Sequence, residues 1–92
     1  MERAAILEDL KLMMAEYMDD AGIQKLANIT DDTDFVNDIN LDSIDMVDIV
    51  IKAENKYGIE IKNETITKLN TVGKCLDVIQ ARLAEKENTT KK

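Results

Sequence analysis

The segment Asp38-Ile39-Asn40-Leu41-Asp42-Ser43-Ile44-Asp45 sets a hydroxyl among carboxylates, directly before a run of helix-forming residues. With no histidine in the chain, Ser43 lacks the base a nucleophilic serine needs, so it reads as a residue that another protein modifies. A helix N-terminus offers free N–H groups and a positive dipole end to a phosphate. The flanking aspartates oppose that anion and suit a basic partner instead.

Asp42 is the expected N-cap of the helix that presents this serine, with Asp45 where a capping box carries its second acid. That helix should end near Tyr57-Gly58, Gly58 supplying the left-handed turn. Projected at roughly 100° per residue, Met46, Ile49, Val50, Ala53 and Tyr57 form a broad core arc, and Ile44, Val47 and Ile51 a second, narrower one. Fully burying an Ile or Val contributes about 1.5–3 kcal/mol, so an uncovered second arc beside Ser43 reads as a docking patch. Asp38, Asp42, Asp45, Asp48 and Glu54 rim it with negative charge.

The remaining elements follow from apolar spacing. Ile6, Leu10, Met13, Met14 and Tyr17 stripe a first helix from about Glu2 to Met18, ended by Asp19, Asp20 and Gly22. A long connection from about Asp20 to Leu41 carries Ile23, Leu26, Ile29, Phe35, Val36 and Ile39 as anchors, Phe35 and Val36 pinning it to the core. Asn63 is expected to cap a short third helix through Leu69. Asn70 or Thr71 starts the last helix, whose stripe is Val72, Leu76, Ile79 and Leu83. The expectation is an all-α, four-helix domain over 1–85, with a polar tail at 86–92 that has nothing to bury and frays.

Ninety-two residues supply one modest core. A net charge of −7 disfavours nucleic acid, whose binding needs clustered Lys and Arg. Cys75 alone cannot form an internal disulfide, and without histidine no zinc set is expected. The N-terminus, with Glu8 and Asp9 in its amphipathic stretch, does not read as a signal peptide. No apolar run approaches the roughly 20 residues of a membrane span.

The chain strongly resembles an acyl carrier protein. The likeness rests on Phe35-Val36-Asn37-Asp38-Ile39, Leu41-Asp42-Ser43-Ile44-Asp45-Met46-Val47, Asn55-Lys56-Tyr57-Gly58-Ile59-Glu60-Ile61 and Thr71-Val72-Gly73. It implies a four-helix bundle with a short third helix, and 4′-phosphopantetheine, taken from coenzyme A, on Ser43 through a phosphodiester. It further implies an acyl cargo held as a thioester, a phosphopantetheinyl transferase and acyl-handling enzymes with basic docking surfaces as partners, and a recognition helix bearing Ile44, Val47, Ile51, Asp42, Asp45, Asp48 and Glu54. A cytoplasmic, monomeric shuttle that is not itself an enzyme is the corresponding expectation.

Two positions depart from the usual pattern. Asn40-Leu41 stands where fatty-acid carriers often have Gly-Ala, and Asn tolerates the left-handed backbone such a turn needs. Leucine before Asp-Ser also occurs in carriers of specialised pathways, polyketide, aryl-lipid or D-alanyl. Lys52 and Lys56 dilute an otherwise acidic helix. Against other functions, Asp38-x-Asn40-x-Asp42 matches the first ligands of a calcium loop but has Ser43 for the required Gly and Ile49 for the closing Glu. A serine hydrolase lacks both a base and a Gly-x-Ser-x-Gly elbow. A purely structural helical module leaves the second apolar arc and the placement of Ser43 without a cause.

Overall fold

The computed structural model describes residues 2–90, with side chains placed through Lys86. Among the described residues five helices follow in order: α1 (Arg3–Ala15), α2 (Asp20–Leu26), α3 (Ser43–Tyr57), α4 (Asn63–Ile66) and α5 (Val72–Thr90). α1, α3 and α5 point their apolar stripes inward. Ile6, Leu10 and Met14 from α1, Ile49 and Val50 from α3, and Val72, Leu76 and Ile79 from α5 are all sealed from solvent. Phe35 and Leu41, from the connection ahead of α3, complete this core. Among the described residues no charged or polar side chain is fully buried, so the interior carries no charge whose desolvation must be offset.

The long connection is more structured than its sequence suggests. α1 closes with a turn at Tyr17, whose N–H donates to Met14 O at 3.0 Å. Asp19 then caps a new helix, its carboxylate accepting from Gly22 N–H at 2.9 Å. The acids read as an ending are therefore also a beginning: α2 has Asp20 in its first turn and Lys25 in its last, an arrangement suited to the helix dipole. Of the proposed anchors, Leu26, Phe35 and Ile39 are buried and Ile29 is half-buried, but Ile23 is 41% and Val36 50% exposed. Phe35 alone of its pair pins the loop; Val36 faces solvent.

The end of that connection is tied to the start of α5. Phe35 N–H donates to Asn70 O at 3.1 Å and Val72 N–H to Thr33 O at 3.0 Å, around an isolated antiparallel bridge between Asp34 and Thr71. Gly73 is required by close approach, since a Cβ there would sit 2.9 Å from the backbone oxygen of Asp31. Arg3 clasps the same junction: it donates to Asp77 at 2.7 Å, Gln80 at 2.8 Å and Asp31 at 2.9 Å, linking α1 to α5 and the loop.

Helix ends differ from expectation in three places. α4 is capped at Lys62 with no side-chain bond, so Asn63 is its first residue rather than its cap, and only turns continue to Leu69. Thr71 does start α5, its hydroxyl accepting from Lys74 N–H at 3.3 Å. The backbone of α5 stays helical through Thr90, past the expected fraying point at 86, while residues 91–92 lie outside the described part. Lys86 reaches across to donate to Tyr57 O at 2.8 Å, satisfying a carbonyl at the C-terminus of α3.

Cys75 lies in this core on α5, and burial pushes its thiol up to about 12 from an ordinary 9.0. Because the thiolate is the nucleophile, iodoacetamide at pH 8 should label Cys75 at least tenfold more slowly in the folded protein than in urea. The unfolded thiol ionises from about pH 9 while the folded one does not, so this burial also lowers stability as pH rises from 9 toward 12. Equal labelling rates would show that the α5 core opens on the labelling timescale.

Candidate functional site

The site is built by the entry into α3. Asn40 has φ +60°, the left-handed conformation expected for it, and turns the chain from the loop toward the helix. Asp42 then caps α3: its carboxylate accepts from Asp45 N–H at 2.8 Å, and the Asp45 carboxylate reaches back to Asp42 N–H at 3.4 Å. Both halves of the capping box are acidic. Ser43 is the first residue of the helix, exposed, and its hydroxyl makes no hydrogen bond to any described residue.

The first amides of a helix have no partner within it. The box takes up Asp45 N–H, and Met46 N–H donates to Asp42 O at 3.1 Å, which leaves the Ser43 and Ile44 amides beside the hydroxyl. A phosphodiester on Ser43 Oγ would meet those two donors and the positive end of a 15-residue helix. It would also meet Asp42 and Asp45, whose negative charge drives the group outward to solvent. The residues thus fit a phosphate held at one end and displayed at the other.

The loop before the site is held by its own acids. Asp34 Oδ1 accepts from Val36 N–H at 2.8 Å and Asn37 N–H at 2.9 Å, and Asp38 Oδ2 accepts from Asp34 N–H at 2.7 Å. The Asn37 and Val36 bonds draw the Asp34 carboxyl below its ordinary range. A lowered acid adds stability that is complete above its unfolded value of 3.8 and lost as pH falls through the lower folded value. Thermal melts should therefore show wild type above Asp34→Ala at pH 7, with the gap closing below pH 3.8; a gap constant down to pH 2 would mean the loop does not depend on the charge.

α3 presents its two arcs differently. Met46, Ile49, Val50, Ala53 and Tyr57 are at most 7% exposed, whereas Ile44, Val47 and Ile51 are 71%, 40% and 45% exposed. Asp38, Asp42 and Asp48 are exposed near this apolar strip and Asp45 is half-buried. Glu54 stands apart from the rest of the rim: its carboxylate accepts from Ile61 N–H at 2.9 Å and fixes the chain after α3. Lys52 also turns away from the strip, pairing with Glu16 and lying 4.9 Å from the Tyr17 ring centroid, so it braces α1 rather than diluting the acidic face. Tyr57 anchors the far end by donating to Asp9 at 2.6 Å; burial first and this bond second raise its phenol above the ordinary range. Asp38 Oδ2 and Asp42 Oδ1 each accept a backbone N–H, and among the described residues no three His, Cys, Asp or Glu side chains are grouped so as to hold a metal ion.

A capped acidic helix start, one exposed serine and an uncovered apolar strip thus lie together on α3, and comparison with known proteins supplies the family. Residues 9–79 match the family described as "Phosphopantetheine attachment site", a span that includes Ser43. The acyl carrier protein of Coprothermobacter proteolyticus is 35% identical over 86 residues, covering 94% of this chain and all of the relative. That of Tropheryma whipplei (strain Twist) is 39% identical over 84 residues, covering 91% and 98%. Among solved structures, hexanoyl acyl carrier protein from the actinorhodin polyketide synthase of Streptomyces coelicolor superposes with a TM-score of 0.73 at 27% identity, over 85% of this chain and 90% of that one. The chain belongs to the acyl carrier protein family, whose cofactor is 4′-phosphopantetheine. Its helical fold is that family's fold, with the two-turn α2 added inside the first connection of the expected four-helix bundle.

Proposed function

We propose that Ser43 is the attachment residue and that this chain is a covalent shuttle for acyl groups, not a catalyst. The observation that carries the reading is the exposed Ser43 hydroxyl, which makes no hydrogen bond to any described residue, on the first residue of a doubly capped helix. A phosphopantetheinyl transferase supplies the base this chain lacks. Ser43 Oγ then attacks the pantetheine-side phosphorus of coenzyme A and takes the whole 4′-phosphopantetheinyl group, its own O–H proton passing to the transferase as the pyrophosphate P–O bond breaks and adenosine 3′,5′-bisphosphate leaves. Once attached, 4′-phosphopantetheine supplies a flexible arm whose terminal thiol carries the cargo as a thioester.

This chain's residues do the rest. Asp42 and Asp45 hold the helix start and keep the linkage facing outward. Ile44, Val47 and Ile51 form the apolar centre of the docking surface, and Asp38, Asp48 and the capping acids its negative rim, complementary to enzymes with basic docking surfaces. Glu54 belongs to this surface only at its edge, because its carboxylate is committed to Ile61. Action as a cytoplasmic monomer goes with this role, and among the described residues no helix is long and apolar enough to cross a membrane.

Fatty-acyl intermediates are the first reading of the cargo. A specialised cargo is the second, favoured by Leu41 ahead of Asp42-Ser43 and by the likeness to a polyketide carrier. Intact mass of the protein purified from its own cell, before and after thioester cleavage by hydroxylamine, tests both levels. One phosphopantetheine on Ser43 with a hydroxylamine-labile acyl mass is the expected result, and the acyl mass separates the two cargoes. Protein isolated with no arm, and unable to take one from coenzyme A, would remove the carrier reading.

A further inference from the structure

Among the described residues, three large apolar side chains are exposed outside the strip on α3: Leu12 on α1, Ile23 on α2, and Val36 in the loop ahead of Ser43. Leu12 and Ile23 lie on helices that carry no part of the site. Val36 belongs to the segment that enters it. Its carbonyl accepts from Asn40 N–H at 3.1 Å, and with three residues from Asn40 to Ser43 the Val36 and Ser43 Cα atoms are at most about 17 Å apart even for an extended chain. The left-handed turn at Asn40 shortens that span. A standard interface covers about 800 Å² on each partner, a disc of about 16 Å radius, so the footprint of a protein centred on Ser43 reaches Val36.

The loop presents this side chain in a fixed way. Val36 N–H donates to Asp34 Oδ1 at 2.8 Å, its carbonyl is bonded to Asn40, and the preceding Phe35 is fully buried. Phe35 points into the core, so Val36 points away from it. A side chain held on an ordered loop loses little conformational freedom on binding. Asp34 and Asp38 flank it, and Asp38 is exposed. The loop therefore repeats the chemistry of the α3 strip, an apolar residue within an acidic rim, and the same complement fits both: an apolar contact surrounded by basic side chains.

The position of Ser43 selects the occupant. An enzyme acting on the hydroxyl itself must enclose Ser43 from the loop side as well as the helix side, whereas one acting on the cargo meets it at the far end of the arm. Resting on the assignment of Ser43 as the attachment residue, we propose that Val36 is a second docking anchor, taken by the phosphopantetheinyl transferase through an apolar contact with a basic rim. The α3 strip and the loop then grip Ser43 from two sides, and Val36 sets how tightly the apo protein is held during loading.

Steady-state loading by a broad-specificity phosphopantetheinyl transferase, with coenzyme A saturating and the apo protein varied, tests this. Val36→Ala should raise KM for the apo protein at least threefold with kcat unchanged, the pattern of lost uniform binding. Val36→Arg, which sets a cation against the basic rim, should raise it at least tenfold, while Val36→Ile should load as wild type does. Melts of each variant accompany the kinetics and should stay near wild type. A KM unchanged in Val36→Ala and Val36→Arg, a fall in kcat with KM held, a KM rise shared equally by Val36→Ile, or one that tracks loss of folded protein overturns the anchor and leaves the attachment residue standing. Wild-type protein that takes no arm overturns both.

Discussion

Incubated with coenzyme A and a broad-specificity phosphopantetheinyl transferase, the apo protein should gain one arm by intact mass, and Ser43→Ala should gain none. The expected effect is complete because the reaction needs a hydroxyl at one place. Ser43 is the residue whose hydroxyl lies exposed beside free helix amides, and nothing in the chain substitutes for it as phosphoryl acceptor. The substitution should leave the fold intact. The capping bonds run through Asp42 and Asp45, not through Ser43, and alanine is favourable inside a helix, so circular dichroism and melting temperature should stay near those of wild type. An arm retained by Ser43→Ala would refute the assignment and, with it, the reading of Asp42 and Asp45 as the frame of an attachment site.

Asp42→Ala separates the frame from the acceptor. Loss of an N-cap costs about 0.5–2 kcal/mol, so this variant should melt earlier yet still accept an arm, at a reduced rate. Neutral loading rates for Asp42→Ala would mean that the transferase reads Ser43 without reading its cap.

The parts of this site legible in the sequence are those fixed by local backbone chemistry. Asp42 with Asp45 encodes its own cap, Asn40 and Gly58 take the left-handed conformations their types allow, and the period of α3 separates a buried arc from an exposed one. What was hidden depends on distant partners or on short segments. α2 has seven residues and only Leu26 buried, too little for an apolar stripe to register, although Asp19 was available as its cap. Phe35 and Val36 are adjacent apolar residues in a loop, where no periodicity tells the inward one from the outward one; the pairing of Phe35 with Asn70 decides it. Glu54 looked like part of an acidic rim because its acceptor role toward Ile61 arises from the turn after the helix. Lys52 likewise could not be assigned to α1 before the crossing that brings Glu16 and Tyr17 to it was known.

The separation of the two arcs on α3 predicts opposite behaviour for two isoleucines two positions apart. Ile49 is fully buried and Ile51 is 45% exposed. Truncating a buried Ile to Ala removes its transfer energy and leaves a cavity, typically 2–5 kcal/mol in all, a large share of the stability of so small a domain. Ile49→Ala should therefore melt many degrees below wild type. Ile51→Ala removes side-chain surface that is already half in water, so its stability cost should stay below about 1 kcal/mol, while the rate at which the transferase loads the arm falls several-fold because an interface anchor is gone. Val47→Ala should follow Ile51→Ala. The two readouts, melts and loading rates, must cross over: Ile49→Ala, assayed at a temperature where it is still folded, should load at close to the wild-type rate. A severe melt defect in Ile51→Ala together with unchanged loading would make the narrower arc a structural surface and leave Ser43 without an apolar docking patch beside it.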